Sequence, residues 1–254
     1  MAAIDKVKVL VLGDSGVGKT SLTHLITQNE PISNPSWTVG CTVEVKLHEY
    51  KEGTPQQKTY FIELWDVGGS SNHRNSRCVF HNSVHGVILV HDLCNKKSHQ
   101  NLPKWLAEVY SRDANAKNRY SDGDEFDPEQ FAGSSQCGDF MSFGFNLDEF
   151  KTPILVIGTK LDVAEQVRSN NSYRSSSFAE DCGADEITLD CRQKSSLAAG
   201  TSSSVKISRF FDKVIEMRYY SREVLSPLAV NSASADKRRT FPTTTVSPKF
   251  YHND

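Results

Sequence analysis

Eight residues near the amino terminus, Gly13-Asp14-Ser15-Gly16-Val17-Gly18-Lys19-Thr20, constrain this chain more than any other feature. They satisfy G-x-x-x-x-G-K-[ST] and lie between an apolar run, Val7-Lys8-Val9-Leu10-Val11-Leu12, and a stretch of helical character from Thr20 to Gln28. Such a loop turns its backbone N–H groups onto phosphate oxygens, and the positive end of the following helix adds to the attraction. Ser15, Gly16, Val17, Gly18 and Ser21 are the expected contacts there. Lys19 supplies a point charge for the β- and γ-phosphates, and the Thr20 hydroxyl is suited to ligate Mg2+. The pattern implies a strand–loop–helix unit that holds a nucleoside triphosphate, without saying which one.

The rest of the chain repeats this alternation. Thr42 to Tyr50 sets Val43, Val45 and Leu47 against Glu44, Lys46 and His48, the period of a half-buried strand. A turn at Lys51-Glu52-Gly53-Thr54-Pro55 leads to a second strand from Thr59 to Trp65, so the two are expected to form a hairpin. Gly86 to Val90, Pro153 to Gly158 and Glu186 to Leu189 read as further strands, and Asn101 to Tyr110 as a helix. A last helix carries Ile207, Phe210, Phe211, Val214 and Ile215 as one apolar stripe. Buried strands alternating with helices predict an α/β fold, a mainly parallel sheet with helices on both faces and one antiparallel strand. Residues 1–220 are expected to form this domain, with 111–152 as a low-complexity insertion and 221–254 as a flexible Ser/Thr/Pro-rich tail. The insertion contains Asp122-Gly123-Asp124-Glu125-Phe126-Asp127, but it lacks the glycine that a calcium loop needs at its sixth position.

Two later segments supply what the phosphate loop lacks. Asp66-Val67-Gly68-Gly69 follows a strand, so Asp66 can hold magnesium through water and the Gly69 N–H can meet the γ-phosphate. Thr159-Lys160-Leu161-Asp162 follows another strand at the end where α/β proteins bind ligands. A carboxylate at Asp162 can accept from both N1–H and the 2-amino group of guanine. Adenine would leave it unpaired, a mismatch that can discriminate by about 10⁴–10⁵. Lys160 can lay its stem along the base.

In this order, these motifs resemble the Ras superfamily of small GTPases, and Trp65-Asp66 with the helix Asn101 to Trp105 resembles its Rab-like branch. The resemblance covers roughly residues 5 to 220. It implies the Ras-like P-loop GTPase fold, a six-stranded sheet flanked by five helices, with GTP or GDP and Mg2+ bound. It also implies that Thr38 is the switch threonine that reaches Mg2+ and the γ-phosphate, making Thr20, Thr38 and Asp66 the metal set. Lys19, Thr38, Gly69 and Ser70 then occupy the catalytic positions. Asp190-Cys191-Arg192 corresponds to the last base-binding loop, where the Cys191 backbone N–H meets the guanine oxygen. The implied partners are effector or regulator proteins bound through the switch regions, and a second copy of the chain in a homodimer.

Departures from the family pattern carry their own expectations. Ser70 stands where the family has the glutamine that orients the attacking water, so intrinsic hydrolysis should be slow. Pro31 replaces an aromatic residue that stacks on the purine, so nucleotide should exchange quickly. Thr159 replaces an asparagine, which should weaken the bracing of the base loop. The last cysteine is Cys191, which leaves no carboxy-terminal prenylation motif, and Ala2 excludes myristoylation. No lipid anchor is expected, and no apolar run reaches the roughly 18 residues of a membrane span. A formal charge of −2 argues against a nucleic-acid partner, despite the small Lys237-Arg238-Arg239 cluster. Six scattered cysteines without C-x-x-C spacing suit a reduced, cytoplasmic setting. His73, His81, His85 and His91 are expected to be packing or surface residues. Two functions fit: a regulatory GTPase that changes shape, or a nucleotide-stabilised scaffold with a constant binding surface.

Overall fold

A computed structural model describes residues 4–117, 151–167 and 177–221. Six strands form one sheet in the order β2-β3-β1-β4-β5-β6. They are β1 (Lys6–Leu12), β2 (Cys41–Tyr50), β3 (Lys58–Val67), β4 (Gly86–Asp92), β5 (Ile154–Thr159) and β6 (Asp185–Thr188). β2 runs antiparallel to β3, with Val43 opposite Trp65 and Val45 opposite Glu63. The other neighbours are parallel. The hairpin and the mainly parallel sheet are as the sequence implies.

Seven α-helical segments are described: α1 (Lys19–Gln28), α2 (Arg74–Arg77), α3 (Lys96–Gln100), α4 (Leu102–Lys117), α5 (Leu161–Val167), α6 (Ser177–Asp181) and α7 (Ser202–Ile215). Three of these, α2, α3 and α6, are no more than five residues long. α3 and α4 separate at Asn101, since Pro103 has no N–H to donate and is tolerated only in a first turn. α4 runs to Lys117, so the start of the stretch assigned to the insertion is helical. Of that stretch, 118–150 lie outside the described residues, as does 222–254; these include the Asp122–Asp127 segment and the basic cluster.

The sheet is covered on both sides. Leu22, Leu25 and Ile26 of α1 pack with the predicted α7 stripe, Ile207, Phe210, Phe211, Val214 and Ile215, against Val9, Val11, Ile62 and Ile157. On the other face, Leu102, Trp105, Leu106 and Val109 of α4 and Phe178 of α6 cover Leu10, Leu12, Leu89 and Val156. Alternation along β1 thus sends Val9 and Val11 to one core and Leu10 and Leu12 to the other, which explains a strand that is apolar almost throughout. The parallel register brings the carboxyl ends of β1, β3, β4 and β5 to one edge, with Val11 beside Asp66 and Asp92 beside Thr159. Among the described residues no helix is long and apolar enough to cross a membrane, and the five described cysteines are free thiols.

Candidate functional site

A cleft of about 1070 Å³ opens at that edge, lined by the phosphate loop, the segment around Thr38, Gly69 and Ser70, and the near side of α4. The loop between β1 and α1 folds over Lys19, which is 6% exposed. Its ammonium donates to the carbonyls of Gly13 and Asp14, each at 2.8 Å. Burial holds the Lys19 pKa down at about 8, against the opposing pull of Asp66 and Asp14. A charge kept in such surroundings gains strongly from an anion placed beside it.

The three predicted metal residues converge although they come from α1, the segment before β2 and the end of β3. Thr20 donates to Asp66 Oδ2 at 2.6 Å, Thr38 donates to the same oxygen at 3.0 Å, and the two hydroxyls are 3.0 Å apart. Oxygens bound at right angles to one Mg2+ at 2.0–2.1 Å would lie about 2.9 Å apart. Asp66 is 1% exposed, and its Oδ1 has no hydrogen-bond partner among the described residues. A hard, all-oxygen donor set with an unsatisfied buried carboxylate oxygen fits Mg2+.

Gly69 packs against the phosphate loop so closely that an added Cβ would meet Ser15 N at 2.5 Å and Gly13 O at 2.6 Å. The neighbouring Gly68 N–H donates to Gly40 O at 2.8 Å, which joins the segment after β3 to the one before β2. Ser70 lines the cleft, and its carbonyl accepts from Arg77 Nη1 at 2.6 Å. Sequence reading did not single out Arg77, yet it is buried, pairs with both Glu108 oxygens at 2.9 and 3.1 Å, and stacks 4.5 Å from the centre of Trp105. Asp14 was also missed as a link: it accepts from Asn101, between α3 and α4, and from Trp105 on α4. No local spacing signals either arrangement, because each partner lies on another element.

At the base end, Lys160 lines the cleft and pairs with Asp92 at 2.7 Å. Thr159 ties the loop after β5 to its surroundings. Its hydroxyl, 1% exposed, donates to Val17 O in the phosphate loop, with His91 O on β4 also within reach at 3.0 Å. A threonine hydroxyl is long enough here because the phosphate loop comes close to β5. Asp162 lies 3.6 Å from the exposed Arg192. Leu161 N–H donates to Leu189 O at 3.2 Å, setting the segments after β5 and β6 side by side. Asp190 is buried and accepts from the Arg192 backbone at 2.8 Å. The Cys191 thiol is pushed up to about 12 by burial and then by Asp190 and Asp162, so it stays protonated.

Ser15, Gly16, Gly18, Lys19, Thr20 and Ser21 all line the cleft with Thr38, Gly69 and Ser70; Val17, Leu161, Asp162, Asp190 and Cys191 do not. Pro31 is exposed and also lies off the lining. Of the histidines expected to pack or to face solvent, His81 and His91 are buried and His73 is exposed.

Residues 8–119 match the family model described as Ras of Complex, Roc, domain of DAPkinase. Rab-like protein 3 of Mus musculus is 54% identical over 228 residues, covering 88% of this chain and 90% of that protein. Rab-like protein 3 of Homo sapiens is 53% identical over the same coverage. The Small GTPase-like protein LIP2 of Arabidopsis thaliana is 32% identical over 97% of this chain and 74% of that protein. With the six-stranded sheet and the loops at its edge, these likenesses establish that the chain belongs to the Rab-like small GTPases of the Ras superfamily.

Proposed function

We propose that this chain is a regulator that binds GTP and GDP with Mg2+ and changes shape between them, while hydrolysing GTP slowly. The observation that carries the reading is the convergence of Thr20 and Thr38 on Asp66, beside the buried ammonium of Lys19. These residues would hold the metal and the phosphates, with backbone groups from Ser15 to Ser21 around them. Bound Mg2+ supplies charge neutralisation at the phosphate oxygens. Thr38 and Gly69 belong to two segments joined by the Gly68–Gly40 bond, so a γ-phosphate contact made by one is felt by the other. Slow hydrolysis rests on Ser70, whose side chain is too short to orient a water as glutamine does.

Guanine preference rests on Asp162, with Cys191 N–H and Lys160 completing the base site. The test is equilibrium binding of fluorescent GDP and ADP in Mg2+ to the wild type and to Asp162→Ala. The reading expects GDP to bind at least about 10³-fold more tightly, with most of that preference lost in the variant. Equal affinities in the wild type would end it.

Residues 1–220 serve in this proposal as the GTPase domain. Trp37, 87% exposed, and Val39, 81% exposed, flank Thr38 and offer an apolar surface to an effector, a regulator or a second copy in a homodimer. A cytoplasmic setting is proposed. The second reading, a nucleotide-stabilised scaffold, draws on Ser70 and on Pro31 and predicts the same partner affinity in both nucleotide states.

A further inference from the structure

A second constellation lies outside the nucleotide cleft, on the face of the sheet that carries Val87 and Leu89. His91 of β4, His99 of α3 and Glu186 of β6 each bring one ligand atom within 4.8 Å of the other two. His91 is 4% exposed, and neither of its ring nitrogens has a hydrogen-bond partner among the described residues; the same holds for His99 Nε2. Buried nitrogens left in that condition cost free energy, and their grouping at one point asks for something that binds them together. The two rings stand 4.8 Å apart at 82°, and Glu186 Oε1 lies 3.5 Å from His91 Nε2. Two donors on one tetrahedral Zn2+ at about 2.0–2.2 Å would be separated by roughly 3.4 Å, so this pair already stands at coordination spacing.

The intervening strand leaves room for the group. Gly158 of β5 pairs with His91, and a Cβ there would press to 3.1 Å from both Cε1 and Nε2 of its ring. We propose that His91, His99 and Glu186 form a site for a divalent transition metal, Zn2+ being the best match. Two imidazoles and one carboxylate suit Zn2+ and disfavour Mg2+, which takes oxygen donors. The fourth position is left to water. The metal would fasten α3, a five-residue helix too short to hold itself, to β4 and β6. α3 also carries Ser98, whose hydroxyl accepts from the backbone of Asp92, the partner of Lys160. The site thus steadies the strand end beside the base loop.

The test is titration of the full chain, stripped of transition metals and kept in excess Mg2+, with one equivalent of Co2+ followed by Zn2+. Visible d–d absorption of tetrahedral strength, displaced by Zn2+, is expected in the wild type. His99→Ala and Glu186→Gln should weaken Co2+ binding at least tenfold while keeping the wild-type circular dichroism. In parallel, Zn2+ should shift the ring resonances of His91 and His99 in the wild-type protein, a reading that does not depend on either variant folding. A band that survives both substitutions, a spectrum dominated by thiolate charge transfer, or ring resonances that Zn2+ leaves in place would each overturn the proposal.

Discussion

Trp105 donates its indole N–H to Asp14 Oδ1 at 2.8 Å, and so ties the helix α4 to the phosphate loop. Asn101 completes the bond set at Oδ2, 2.7 Å away. The loop that must hold phosphates is therefore fixed from above by a helix as well as from below by β1. Trp105→Phe keeps an aromatic ring in place and removes one charge-assisted bond. The expected loss is about 1.5–3 kcal/mol, read as a lower urea midpoint, together with faster release of GDP. An unchanged midpoint would mean that the bond adds nothing net.

Gly69 touches the backbone of the phosphate loop, where neither Ser15 N nor Gly13 O can yield to a methyl group. Gly69→Ala should push the segment after β3 outward while the core, which it does not enter, stays folded. Expected is GDP affinity within about threefold of wild type, with the preference of any partner for the GTP form lost. Nucleotide titrations and partner binding on the same preparation check both halves.

Lys19 supplies a pH dependence whose sign is fixed. Its pKa in the nucleotide-free protein stands at about 8, chiefly through burial, and phosphate binding favours the charged form. Affinity for GDP should be full below pH 8 and fall as pH rises through that value. From pH 7 to pH 8.5 the charged fraction drops about fourfold, so the dissociation constant should rise about fourfold. A flat profile across that window would show Lys19 to be charged throughout.

Ser70 keeps its place through its carbonyl bond to Arg77, which a side-chain change leaves intact. Ser70→Gln should therefore raise single-turnover GTP hydrolysis at least tenfold, about 1.4 kcal/mol of barrier. No gain would mean that the missing glutamine is not what makes hydrolysis slow.

What could be read beforehand followed from locality. The run Val7–Leu12, the glycine loop and the helix after it are contiguous, so their pattern carries the geometry. The five residues of the α7 stripe were legible for the same reason. Asp66 could be assigned to the same metal as Thr20 from its D-x-x-G motif after a strand, whereas Thr38, 18 residues from Thr20, could be added only through the resemblance. The contact of Thr159 with Val17 O could not be read beforehand, because the two are 142 residues apart and meet through the sheet. The His91–His99–Glu186 group was invisible for that reason too: one strand register and one short helix create it, and no spacing in the chain announces it.

Hydrogen exchange of the two switch segments tests the switching claim most directly. It would be measured on residues 35–40 and 66–77 in Mg2+ with GDP and with a non-hydrolysable GTP analogue. The Thr38 hydroxyl sits 3.0 Å from Asp66, so the account predicts stronger protection of both segments with the GTP analogue. Thr38→Ala should erase that difference. Equal protection in the two nucleotide states of the wild type would contradict the account and favour a fixed scaffold.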